Sequence, residues 1–133
     1  LRGEEVPGLA QLGELVALVS DAVAWPIPPH YPVFGEDAFR TTTGVHAAAV
    51  VKALRAGDAA LADAVYSGVP ARWFGRRQEI GVGPMSGASN VRHWLSERGL
   101  PTDDDTVVSV VRRAKDADHA LAEEELLAAV AGL

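Results

Sequence analysis

The chain of 133 residues has no cysteine, a single methionine, and aromatic residues at only 6%. Without cysteine there is no disulfide and no thiolate metal site, and the composition carries no mark of redox compartment. Cations are scarce as well: 12 Lys and Arg face 18 Asp and Glu, a net charge of −6. Phosphate backbones and anionic membrane surfaces are held by clustered cationic faces, so no nucleic acid and no membrane is expected as a partner. Long apolar runs are missing too, and none approaches the ~18–20 residues that a membrane span needs. The opening "LRGEEVPG" lacks the basic-then-apolar pattern of a signal peptide. A chain that opens on Leu1 rather than Met is expected to be a piece of something longer.

What is present suits a globular protein, with 48% hydrophobic and 23% charged residues. A chain of this length can hide about two-thirds of its unfolded surface in one modest core. Apolar residues at 9, 12, 15, 16, 19 and 23 mark a helix between Leu9 and Trp25. Four prolines between 26 and 32 then forbid helix and favour an extended linker. "VFGEDAF" turns into a second helix, "TTTGVHAAAVVKAL" (Thr41–Leu54), closed by Gly57. Asp58 can cap a short helix running to Tyr66. The following "SGVPARWFGRRQEIGVGPMSGASN" is turn-rich, with at most a short strand at Gln78–Val82. Ser89 can cap a helix Asn90–Arg98 that Gly99 ends. Asp103–Asp105 suit the start of a helix from Thr106 to about Lys115, and a last helix runs from about Ala120 to Val130. The expected fold is mainly α, in small helical subdomains with loop-rich connections. Residues 1–30 form helix and Pro-rich linker, 31–66 a first subdomain and 67–133 a second.

Few residues suggest chemistry. His46 falls in the first turn of its helix, and its i+3 and i+4 neighbours, Ala49 and Val50, leave room beside the ring. A neutral imidazole serves a general base or a hydrogen-bonding positioner; a buried, carbonyl-bonded histidine is the plainer reading of the same spacing. Asp116, His119 and Glu123 would share one face of a continuous helix, as metal ligands do, but an acidic solvated face explains them equally. Arg72, Arg76 and Arg77 surround Trp73 and Phe74, an arrangement that could hold phosphate but more often pairs with carboxylates. "GPMSGASN" leads glycines into a helix N-terminus, where capping is a simpler role than anion binding. His30 and His93 have no acidic or histidine partner at ligand spacing.

The order of segments says more than any one of them. "FGEDAFRTTTGVHAAAVVKAL", then "YSGVPARWFGRRQEIGVGPMSGASNV", resembles the region after the barrel in 2-isopropylmalate and homocitrate synthases. The matching positions are Gly35, Ala38-Phe39, Thr43-Gly44-Val45-His46, Lys52, Tyr66, Gly75-Arg76 and Ser86-Gly87. The resemblance implies a part of a cytoplasmic acyltransferase that condenses acetyl-CoA with a 2-oxo acid. It implies a TIM barrel, absent from this chain, that holds the divalent metal (Mg, Mn or Zn), with no metal bound by this chain itself. It further implies a homodimer in which these subdomains reach the neighbouring subunit's active site. His46 and Tyr66 then match its catalytic histidine and tyrosine, with Thr43 and Gly44 beside the substrate. Thr41 replaces a histidine often found there, and Ala47-Ala48 a polar pair, so homocitrate or another alkylmalate product stays open. A stand-alone binding module that kept the fold without the chemistry is the reading from another class.

Overall fold

A computed structural model describes residues 7–132, which form six α-helices and one two-stranded sheet. Helix α1 (Leu12–Ala22) continues from a 3-10 turn at Leu9–Gln11. Its C-terminus closes where the Ser20 hydroxyl donates to the Trp25 carbonyl at 2.6 Å. None of its residues is buried.

From Pro28 onward the Pro-rich stretch is not extended but forms a knot of turns. Tyr31 N–H donates to Pro28 O, Gly35 N–H to Tyr31 O and Asp37 N–H to Pro29 O, each at 2.9 Å. Val33 sits at a φ of 67°, a conformation β-branched residues rarely adopt. The Arg76 guanidinium holds it there, donating to Val33 O at 3.0 Å and Gly35 O at 2.7 Å while lying over the Phe39 ring. Gly35 leaves no room: a Cβ there would stand 2.3 Å from Pro29 O.

Strand β1 (Arg40–Thr41) leaves this knot and pairs in parallel with β2 (Glu79–Ile80), with Arg40 opposite Glu79 and Thr41 opposite Ile80. The pairing links the 31–66 segment to the 67–133 segment. The sequence placed a strand at Gln78–Val82 but offered nothing for its partner, because two residues of ladder leave no periodicity to detect.

Helix α2 (Gly44–Arg55) and α3 (Ala59–Ala64) form a hairpin. Gly57, at a φ of 73°, ends α2: its N–H reaches Leu54 O and Asp58 N–H reaches Ala53 O, both at 3.0 Å. Asp58 then caps α3 by accepting from Leu61 N–H at 2.8 Å. Ala47, Val50, Val51, Ala53, Ala62 and Ile80 form the small core between hairpin and β2.

Helices α4 (Ala88–Glu97), α5 (Asp104–Lys115) and α6 (Glu123–Ala131) enclose the larger core of Val82, Val91, Trp94, Leu95, Val107, Val110, Ala114, Leu121 and Leu126. Asp103, not the later acids, caps α5, accepting from Thr106 N–H at 2.9 Å and from its hydroxyl at 2.8 Å. Four starts differ from expectation: α2 opens at Gly44 rather than Thr41 and α5 at Asp104 rather than Thr106. Gly87 rather than Ser89 is the cap of α4, and α6 opens at Glu123, after Ala122 in an extended conformation, while Leu121 N–H bonds Val82 O at 2.8 Å.

The knot at Gly35 is the least forgiving backbone site. Gly35→Ala is expected to lower stability by about 3 kcal/mol, since backbone atoms cannot make way for the methyl. Gly68→Ala, where nothing stands within 4 Å, should change it by less than about 0.5 kcal/mol. Urea denaturation of the two variants checks the contrast.

Candidate active site

His46 and Tyr66 stand together. The hairpin brings the end of α3 back beside the start of α2, and the two rings stack with centroids 3.9 Å apart and planes 27° from parallel. Both are exposed, Tyr66 to 50%. No hydrogen bond ties the imidazole or the phenol hydroxyl to another described residue. The carbonyl-bonded core histidine considered from spacing is therefore not what the fold builds; packing against the helix falls to Ala47, which is 0% exposed.

Thr43 is the N-cap of α2, but its side chain makes no capping bond, which leaves its hydroxyl and the first N–H groups of the helix uncommitted to each other. Gly44 N–H donates to Met85 O at 2.8 Å, and a Cβ at Gly44 would lie 3.2 Å from Gly87 N. The smallness of Gly44 thus serves a close approach within the chain, to the "GPMSG" loop.

That loop is a clamp. Ser86 Oγ donates to Thr42 O at 2.6 Å and accepts from Gly83 N–H at 2.9 Å. Asn90 Nδ2 donates to Thr42 O at 3.1 Å and Gly81 O at 3.0 Å, while its Oδ1 accepts from Gly87 N–H. Sequence reading credited this stretch with capping alone. No local signal marked the clamp, because Ser86 and Asn90 among glycines read as ordinary turn and capping residues.

The other candidates lie elsewhere. Helix α5 ends at Lys115, so Asp116, His119 and Glu123 do not share a continuous helix face. Glu123 pairs with Arg98, which holds its carboxyl below the usual range. His119 bonds Asp118 at 2.8 Å and Glu125 at 3.0 Å, and those two carboxylates, Asp118 first, raise its pKa above the ordinary 6.5. Among the described residues no three His, Asp or Glu side chains gather as metal ligands. Of the arginines, Arg72 meets the buried Asp63 at 3.6 Å, Arg76 holds the knot and Arg77 reaches toward Glu97 at 4.0 Å. His93 is half-buried beside Glu97, and desolvation pushes its pKa down. No described helix is long and apolar enough to cross a membrane.

No family model matches the chain. Among curated proteins it is similar to the homocitrate synthase of Pyrococcus horikoshii, 31% identical over 109 residues, which are 82% of this chain and 27% of that protein. A probable 2-isopropylmalate synthase of Ignicoccus hospitalis is 31% identical over 118 residues, 86% of this chain and 27% of that protein. The (R)-citramalate synthase of Aquifex aeolicus is 33% identical over 95 residues, 71% of this chain and 16% of that protein. The chain belongs to the family of 2-isopropylmalate and homocitrate synthases. It spans only 16% to 27% of the length of these relatives.

The His119 contacts have a pH signature. The carboxylates favour the charged imidazolium in the folded state, so their stabilisation is complete below the ordinary value of 6.5 and disappears as pH rises through the raised folded value. Thermal melts in low salt should therefore show His119→Ala less stable than wild type at about pH 5.5, with the deficit shrinking as the pH is raised well above the ordinary value. His93 is common to both proteins and cancels. An equal deficit at every pH would mean that the ring acts by packing.

Proposed function

We propose that this chain is the post-barrel region of an acetyl-CoA-dependent alkylmalate synthase, of the 2-isopropylmalate type, that presents His46 and Tyr66 to a neighbouring subunit's active site. The observation that carries the reading is the exposed His46–Tyr66 stack, an acid–base pair of rings with free polar atoms at a helix N-terminus. A core would bury such rings and a bare surface would not need them stacked. The segment order, matched along most of the chain in synthases of this family, supports the same assignment.

In the proposed reaction the acetyl methyl carbon of acetyl-CoA loses a proton and bonds to the keto carbon of a 2-oxo acid. The keto oxygen gains a proton, and water then cleaves the thioester to release CoA. His46 can move a proton at the keto oxygen or the attacking water, and the Tyr66 hydroxyl can donate to the same oxygen. A divalent metal would polarise the keto acid in the barrel. The described residues gather no ligand set for one, so no step here passes through it. Homocitrate or another alkylmalate product is compatible with the same pair.

Dimerisation belongs to the same proposal. Helix α1 leaves Leu15, Leu18 and Val19 exposed, with Val23 and Trp25 beyond its end, an apolar stripe suited to packing on another folded body. A non-catalytic binding module would have use for that stripe but none for a free imidazole stacked on a phenol.

In the complete enzyme, His46→Ala should lower kcat by about 10²–10⁴-fold, the usual contribution of an acid–base group. The helix itself gains propensity from alanine, so folding should stay near wild type. Tyr66→Phe keeps the stack and loses only the hydroxyl, so a smaller loss is expected. CoA release measured per folded molecule checks both; unchanged turnover in His46→Ala would reject the reading.

A further inference from the structure

Thr42 lies four residues before His46, and its carbonyl accepts two hydrogen bonds, from Ser86 Oγ and Asn90 Nδ2. Asn90 is 0% exposed and Ser86 is 2% exposed, so neither group has water as an alternative partner. An asparagine carboxamide has two N–H donors and a carbonyl acceptor. Here one donor goes to the end of β1, the other to the end of β2, and the acceptor takes the N–H at the start of α4. The Gly44 N–H to Met85 O bond adds a second tie on the other side of Thr43. Three chain segments meet at one side chain.

A buried network with every member paired permits one geometry, because any displacement leaves a polar group without a partner in a dry site. The first turn of α2 is what this network orients. Buried Ala47, Val50, Val51 and Ala53 pack α2 into the small core, and the clamp adds the hydrogen bonds that hold the residue leading into its first turn. Tyr66 comes from the end of the hairpin and touches none of the clamp's hydrogen bonds. The register between the two rings therefore depends on where the clamp holds Thr42.

The geometry points to Asn90, with Ser86, as positioning residues for His46: through the Thr42 carbonyl they fix the first turn of α2, and with it the place of the imidazole against Tyr66. The value of that position to catalysis rests on the proposed role of His46; the positioning itself does not.

The test is NMR of the 133-residue chain as wild type, Asn90→Asp and Ser86→Ala. Asn90→Asp keeps the size of the side chain but replaces two donors with an acceptor facing two carbonyls. Both variants should lose the through-space contacts between the His46 and Tyr66 rings and shift the His46 ring signals. The resonances of Trp94 and Val110 in the large core should stay in place. Contacts retained in both variants would overturn the inference, and so would loss of the core signals along with the contacts, since the clamp would then be ordinary core. In the complete enzyme, Asn90→Asp should lower kcat, and add no further loss once His46 is alanine. If His46→Ala leaves turnover intact while the NMR behaves as expected, the functional reading fails and the positioning stands.

Discussion

The carbonyl of Thr42, held between Ser86 and Asn90, is the point on which the described arrangement turns. Backbone oxygens are plentiful, but this one sits where a two-residue strand becomes a helix, and it takes one side-chain donor from a distant loop and one from the first turn of α4. Two residues of parallel ladder are too little to hold a sheet together. The clamp supplements them, so β1, β2 and the starts of α2 and α4 share one set of hydrogen bonds. The small α2–α3 core and the larger α4–α6 core are joined at this place, with Ile80 in the first and Val82 in the second.

That junction explains why an exposed pair of rings can have a defined geometry. His46 and Tyr66 are on the surface, where side chains usually sample several rotamers. Each nevertheless springs from backbone fixed at a helix end: His46 from the clamped start of α2, Tyr66 from the turn that follows α3. In the proposed role, in which the pair meets groups of another subunit, this matters because a misplacement of about 1 Å can cost about a hundredfold in rate. The knot behind β1 serves the same end. Arg76 gathers the carbonyls of Val33 and Gly35 and so gives β1 a fixed origin.

Much of this was legible in the sequence. The helices followed from apolar spacing, and Gly57, Asp58 and Gly99 punctuated them as glycine and aspartate do. His46 and Tyr66 could be named from segment order, although only the hairpin shows that they touch. Three features were hidden for physical reasons. The Pro-rich stretch reads as an extended linker because proline fixes φ but does not show that Arg76, over forty residues away, will draw the turns together. The cap of α4 moved to Gly87, with Asn90 bonding back to Gly87 N–H, a role that a serine at position 89 masks in sequence. The clamp itself depends on contacts between residues 42 and 90, and local propensity carries no information about pairs so far apart.

The central claim is that the His46–Tyr66 pair completes an active site carried by another subunit. Complementation between two inactive forms of the complete enzyme tests it directly. One form carries His46→Ala; the other has an intact His46 but a barrel disabled in its own metal ligands. Mixed under conditions that exchange subunits, they should regain CoA release that neither shows alone, because some sites then combine a working barrel with a working His46. If the mixture stays inactive while subunit exchange is demonstrated, His46 acts within its own chain or not at all, and the claim is contradicted.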